Sequence, residues 1–228
     1  MESTKQQIIK RLKEKSTVKY KVYDNTLAVF EEIKKVITDI NTDIKQAVED
    51  LDIEIPVEYR ERGKFEIEMK VAGDMVLMTM HTNVFKLPDA HFAMQSRYVK
   101  EDEMRSYCGI INIYNFLADS FKYNRRNDIG YLIGRIFINK DKHFFVEGKK
   151  QLGFLFNDFA NQKIDNELIG KIINTAIIYS IDLDLITPPL NSIMSVTVAE
   201  MNEITSAMSL KTGKRVGFRF SNDKANPH

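Results

Sequence analysis

The stretch from Lys64 to Thr82 restricts the fold more than any other part of the chain. Lys64-Phe65-Glu66-Ile67-Glu68-Met69-Lys70-Val71 alternates charged and apolar side chains without one error. Met75-Val76-Leu77-Met78-Thr79-Met80-His81-Thr82 then resumes as a second extended run. Successive side chains leave a strand on opposite sides, so period-two alternation marks a strand with one buried and one wet face. Ala72-Gly73-Asp74 separates the runs, and Gly73 is expected to supply the positive φ of a tight turn. An antiparallel sheet follows.

The rest of the chain supplies helices to cover that sheet. Phe30, Ile33, Ile37, Ile40, Ile44, Ala47 and Leu51 recur at three- and four-residue spacing, with charged residues between them. This predicts a long amphipathic helix over 24–51, capped by Asp24 or Thr26 and finished before Pro56. Ile8, Ile9 and Leu12 mark a shorter amphipathic helix over 3–15. Val57–Arg60, Tyr107–Phe116, Ile129–Asn139 and His143–Glu147 read as further strands, with Asn139-Lys140-Asp141-Lys142 as a hairpin connection. Gln151–Phe156 is a candidate additional strand. Asp165 caps a helix over 166–181 whose Leu168, Ile169, Ile172, Ile173, Ala176 and Ile177 form a wide apolar face. Beyond Pro188-Pro189, Thr197-Val198-Ala199-Glu200 matches a capping box before a short helix, and Val216–Phe220 reads as a last strand.

Strands and helices do not alternate as in a βαβ chain, so the expected class is α+β. The sheet should hold about five to seven mainly antiparallel strands, with the long helix and the 166–181 helix on one face. Long polar linkers are missing, which favours one domain over 1–228: helical from 3 to 51, sheet from 57 to 156, mixed from 165 to 220.

Bulk chemistry removes some function classes. The 33 basic and 32 acidic side chains leave a formal charge of +1, so the whole molecule exerts no strong pull on nucleic acid or anionic membrane. The single cysteine, Cys108, excludes an intrachain disulfide and a cysteine-based structural zinc site. The start lacks a signal-peptide core, and apolar stretches around 109–118 and 172–181 fall well short of the roughly 20 residues that span a bilayer. The expectation is a soluble cytoplasmic protein with no membrane partner.

No local catalytic signature is present. Cys108 has no recognisable base beside it, and His81 and His91 lack metal-ligand spacing, so neither a metal nor another cofactor is expected. Neither G-x-x-x-x-G-K-[ST] nor G-x-G-x-x-G occurs, and Lys211–Arg215 places its cations at a helix C-terminus, where the macrodipole already favours them. If dispersed groups carry chemistry, Asp89, His91 and Glu147 are the candidates.

Two binding readings remain. Lys122, Tyr123, Arg125 and Arg126, beside Phe121, interleave cations and aromatics, while Lys140, Lys142, Lys149 and Lys150 crowd the following hairpin; Arg215, Phe218 and Arg219 repeat the pattern near the end. Such surfaces hold nucleic-acid strands by stacking and phosphate contact. Alternatively, Phe30, Ile33, Ile37, Ile40 and Ile44 pair with a second copy, or Met69, Met75, Met78 and Met80 line an adaptable surface rather than fill a core. The leading expectation is a non-catalytic binding or protein-interaction domain, homo-oligomeric and most simply a homodimer. Nucleic-acid binding is the first alternative and an enzyme with dispersed groups the second.

Overall fold

The computed structural model describes residues 3–126, 128–185 and 197–199. Two helical segments, α1 (Thr4–Arg11) and α2 (Thr17–Val48), are joined by a π-helical turn at Leu12–Ser16. The strands are β1 (Val57–Glu61), β2 (Glu66–Val71), β3 (Asp74–Met80), β4 (Phe85–Lys86), β5 (Tyr107–Leu117), β6 (Tyr131–Asn139) and β7 (Phe144–Gly148). Short helices α3 (Arg97–Glu101), α4 (Ala118–Lys122) and α5 (Gln151–Leu155) decorate them, and α6 (Asn166–Ile181) follows. The result is an α+β fold with one seven-stranded sheet in the order β1-β2-β3-β5-β6-β7, every pair antiparallel, and β4 added beside β5.

The two faces of the sheet are covered differently. Ile67, Met69, Val76, Met78, Ile111, Ile113, Ile136 and Val146 meet α2 and α6 in the main core. Phe30, Ile33 and Ile37 of α2 are 0% exposed there, and Ile40 and Ile44 pack at its margin. The stripe proposed for a second copy is thus filled by the chain's own sheet. The opposite face carries a smaller core in which Leu87, Ala93 and Val99 of the β4–β5 connection cover Cys108, Ile110, Phe137 and Phe145. The methionines mostly fill space: Met69, Met78 and Met80 lie in the main core, and Met75 is buried on the other face.

Several expectations about local structure need correcting. The long helix starts at Thr17 rather than near Asp24, and Thr26 is interior, its hydroxyl donating to the Val22 carbonyl at 2.7 Å. The break between the two helical runs is only a π-helical turn, which hydropathy spacing does not register. A Cβ on Gly109 would lie 2.1 Å from Thr26 Oγ1, so the glycine in β5 lets the helix approach the sheet. At the β2–β3 turn the positive φ (54°) belongs to Ala72, not to the glycine beside it. Gln151–Leu155 is helical rather than extended, with Leu152 buried and the Gly148 carbonyl close against Gly153. The expected strand at 216–220 and most of the helix after Thr197 lie outside the described residues.

Among the described residues, no helix is long and apolar enough to cross a membrane.

Candidate anion-binding cleft

The turn between β6 and β7 is organised by one buried amide. Asn139 is 0% exposed and uses all four of its side-chain hydrogen-bonding positions. Its Oδ1 accepts from the backbone N–H groups of Asp141 (2.9 Å) and His143 (3.0 Å), fixing the turn. Its Nδ2 donates to the Tyr98 hydroxyl (3.0 Å) and the Arg105 carbonyl (3.3 Å), tying the turn to the β4–β5 connection. From the other side, Asn25 Nδ2 of α2 donates to the carbonyls of Asn139 (3.1 Å) and Lys140 (2.9 Å). Three distant parts of the chain therefore meet at one turn.

A fourth part joins them. Lys163 pairs antiparallel with His143, and the Ile164 N–H donates to the Lys142 carbonyl at 3.0 Å. Between these elements lies a shallow, solvent-open cleft of about 480 Å³ lined by Lys21, Arg105, Lys140, Lys142 and Lys163, together with Asn25, Tyr98, Asp141 and His143. Five cations thus face a single carboxylate in the lining. Lys140 is paired with Asp102 and Arg105 with Asp141 (3.3 Å). Lys21, Lys142 and Lys163 have no ion-pair partner within 4.0 Å among the described residues. Lys142 sits at φ 61°.

The aromatics of the cleft are already engaged. Tyr98 has the Arg105 guanidinium over its ring at 4.2 Å and the His143 imidazole stacked 4.5 Å away at 15°. Burial, reinforced by the Asp141 carboxylate, pushes the Tyr98 hydroxyl up to about 12, so it remains a hydrogen-bond donor at neutral pH. His143 Nδ1 donates to the Phe159 carbonyl at 3.0 Å, which leaves Nε2 as its ring acceptor when neutral. The Lys140 ammonium holds the Asp102 carboxyl below the usual carboxylate range. The cleft can therefore bind negative charge, while the Tyr98 ring is already engaged by Arg105 and His143.

The other candidate residues occupy separate places. Lys149 and Lys150 lie at the far end of β7 from Lys140 and Lys142, and Lys150 sits over the Tyr179 ring at 5.4 Å. In the 121–126 segment, Phe121 packs edge-on against Phe116 (5.2 Å) beneath Arg62 (5.0 Å). Tyr123 is approached by Lys122 (5.3 Å) and Arg125 (5.5 Å), and Arg125 faces Asp128 at 3.9 Å. Arg126 is exposed. Arg215, Phe218 and Arg219 lie outside the described residues.

His91 and Glu147 are brought together across 56 positions of sequence. His91 Nε2 lies 3.0 Å from Glu147 Oε1, while Arg135 holds the other carboxylate oxygen. His91 Nδ1 accepts from the Ala93 N–H at 3.2 Å, so in the neutral ring Nε2 carries the proton and donates it to Glu147. Both ring nitrogens and both carboxylate oxygens have partners inside the chain. Asp89 does not join them; its side chain is 90% exposed and faces Lys86 at 3.6 Å. Among the described residues no group of three or more His, Cys, Asp or Glu side chains is disposed to hold a metal ion.

No family model, curated protein or solved structure matches this chain.

The sequence pointed to Lys140 and Lys142 but missed Lys21, Tyr98, Arg105, His143 and Lys163. Their separation in the chain hid them. The available signal was Asn139, a turn residue whose side chain commonly bonds backbone groups two residues ahead.

Proposed function

We propose that the protein is a non-catalytic cytoplasmic binding protein whose ligand is the phosphate backbone of a nucleic acid, taken in the cleft at the β6–β7 turn. The observation that carries this reading is the trio Lys21, Lys142 and Lys163, three ammonium groups around one concavity with no acidic partner among the described residues. Unpaired lysines on a concave surface focus a positive potential and release counterions when they meet phosphates. The Tyr98 ring is already engaged by the Arg105 guanidinium and the His143 imidazole, which leaves little of it for a base to stack on. Binding should therefore be largely independent of sequence.

The non-catalytic part of the reading rests on His91 and Glu147. The His91 imidazole bonds Glu147 through one nitrogen and the Ala93 N–H through the other, an arrangement that ties the β4–β5 connection to β7 and supports a structural role for the pair. The direct test is fluorescence anisotropy of labelled oligonucleotides of mixed sequence across a salt series. The reading expects affinity to fall steeply with salt and to vary little with base sequence. Affinity unchanged by salt, or no binding at low salt, would overturn it.

A further inference from the structure

The helical unit from Thr4 to Val48 has bases along its N-terminal end and, past Lys45 in its last turn, acids just beyond its C-terminal end, the reverse of the order that helix stability favours. Its N-terminal end holds Lys5, Lys10, Arg11, Lys13 and Lys15 against Glu14, with Glu2 the one acid in the sequence before it, and every residue from Thr4 to Lys15 is exposed. Just beyond its C-terminal end come Glu49, Asp50, Asp52 and Glu54, with no basic residue between 46 and 56. The macrodipole favours acids at a helix N-terminus and bases at a C-terminus, so neither cluster is accounted for by the helix. None of these basic or C-terminal acidic side chains has an ion-pair partner among the described residues.

Each end also exposes apolar surface. Ile8, Ile9 and Leu12 are 54%, 42% and 55% exposed beside the cations; Leu51 and Ile53 are 51% and 75% exposed among the acids. The two ends thus match in charge and in apolar character. They cannot meet within one molecule, because a helix of this length holds them roughly 65 Å apart at 1.5 Å per residue.

We propose that two copies of this chain associate side by side and antiparallel, the basic end of each long helix docking on the acidic end of its partner's. A two-fold arrangement satisfies both ends of both copies in one closed dimer, whereas head-to-tail docking leaves an end open at each terminus. Between the ends, the outward side of α2 offers Tyr20, Asp24, Glu31, Lys35, Thr38 and Lys45, a surface of mixed sign that does not oppose the approach. This surface lies outside the cleft. Phe30, Ile33 and Ile37 remain buried in their own chain's core.

Charge-reversal pairs test the idea. One variant carries Lys10→Glu, Arg11→Glu and Lys13→Glu, and the other carries Asp50→Lys, Asp52→Lys and Glu54→Lys. All six positions are exposed, and circular dichroism verifies that each variant folds. Sedimentation velocity on the wild-type chain should show a dimer at ~50 mM salt whose dissociation constant rises at least about tenfold by ~500 mM, as screening shortens the reach of the charges. Each variant alone should be monomeric, and an equimolar mixture should restore a one-to-one dimer. A wild-type monomer at low salt, an open-ended polymer, or a mixture that stays monomeric would overturn the proposal. So would a monomer that instead partitions onto phosphatidylserine vesicles, the other surface that suits a basic amphipathic helix. Because Lys21, Lys142 and Lys163 are unchanged in both variants, loss of dimer with retained oligonucleotide affinity separates this interface from the cleft.

Discussion

The segment at 121–126 and the turn at 139–143 look alike as sequence, each a short polar run of cations beside aromatics, yet they have different physical fates. In the first, Lys122 and Arg125 lie over the segment's own Tyr123, Arg125 also faces Asp128, and Phe121 is packed beneath Arg62, so only Arg126 stands exposed. In the second, a buried amide holds the backbone rigid while Lys142 extends into a concavity that Lys21 and Lys163 share. A basic cluster is available to a ligand only when the fold gives its cations no internal partner. That difference is set by what arrives from elsewhere in the chain.

The most severe way to break the comparison is to remove the amide. Asn139→Ala leaves several buried donors and acceptors unsatisfied and should cost roughly 3 kcal/mol of unfolding free energy. Urea denaturation would measure the loss, and oligonucleotide binding should fall with it. If stability is unchanged, Asn139 does not organise the turn as described.

Next comes charge at the cleft. Lys21→Glu, Lys142→Glu and Lys163→Glu together should weaken oligonucleotide binding by about two orders of magnitude at low salt. The slope of log affinity against log salt should become shallower by about 2, as expected when three phosphate contacts are lost on a single strand. The variant should remain folded, since these ammonium groups have no ion-pair partner among the described residues to lose. Arg125→Ala with Arg126→Ala supplies the contrast. It should change affinity less than about twofold, while stability falls by roughly 1–2 kcal/mol, because Arg125 and Asp128 are each only 17% exposed and the carboxylate loses its cation. A larger effect on binding than that of the lysine triple would invert the assignment of the site.

The smallest expected loss of stability concerns Asp102. A carboxyl whose folded pKa lies below its unfolded value of 3.8 contributes stability above that value, and the contribution is lost as pH falls through the folded pKa. Asp102→Asn should remove this acid-side dependence and cost under about 1 kcal/mol at neutral pH, since the pair is partly exposed. It should also release Lys140 into the cleft and tighten oligonucleotide binding by about twofold to threefold. Urea titrations at acid and neutral pH, with anisotropy at neutral pH, would detect both changes.

The fold was more legible in the sequence than the cleft. Alternation of charged and apolar residues at 66–71 and three-four spacing from Phe30 to Ile44 are local patterns, so they reveal the elements; the wet sheet face expected from that alternation is not there, because Glu68, Met75 and Leu77 are buried as well. Asp165 could be read as a cap because its partner, the Leu168 N–H, is three residues away. Lys21, Arg105 and Lys163 have no such local mark; only the packing of α2, the β4–β5 connection and the residues before α6 brings them to Lys142. His91 and Glu147 were both singled out from sequence as chemistry-bearing groups. Their mutual contact was not visible there, nor was Arg135, which sits opposite Glu147 across the β6–β7 pairing.

The contact between Gly109 and Thr26 sets the phase of the long helix. Rotating α2 by one residue would turn its faces by roughly 100° and bring a different side chain onto the glycine. Only one alignment therefore keeps the Thr26 hydroxyl over bare backbone, and that alignment presents Lys21 and Asn25 to the cleft. The aim of a cation is indexed by a strand glycine that carries no charge and is not part of the cleft lining. Sensitivity to substitution should accordingly extend to Gly109, where a methyl group would misdirect the site by displacing the rod that carries it.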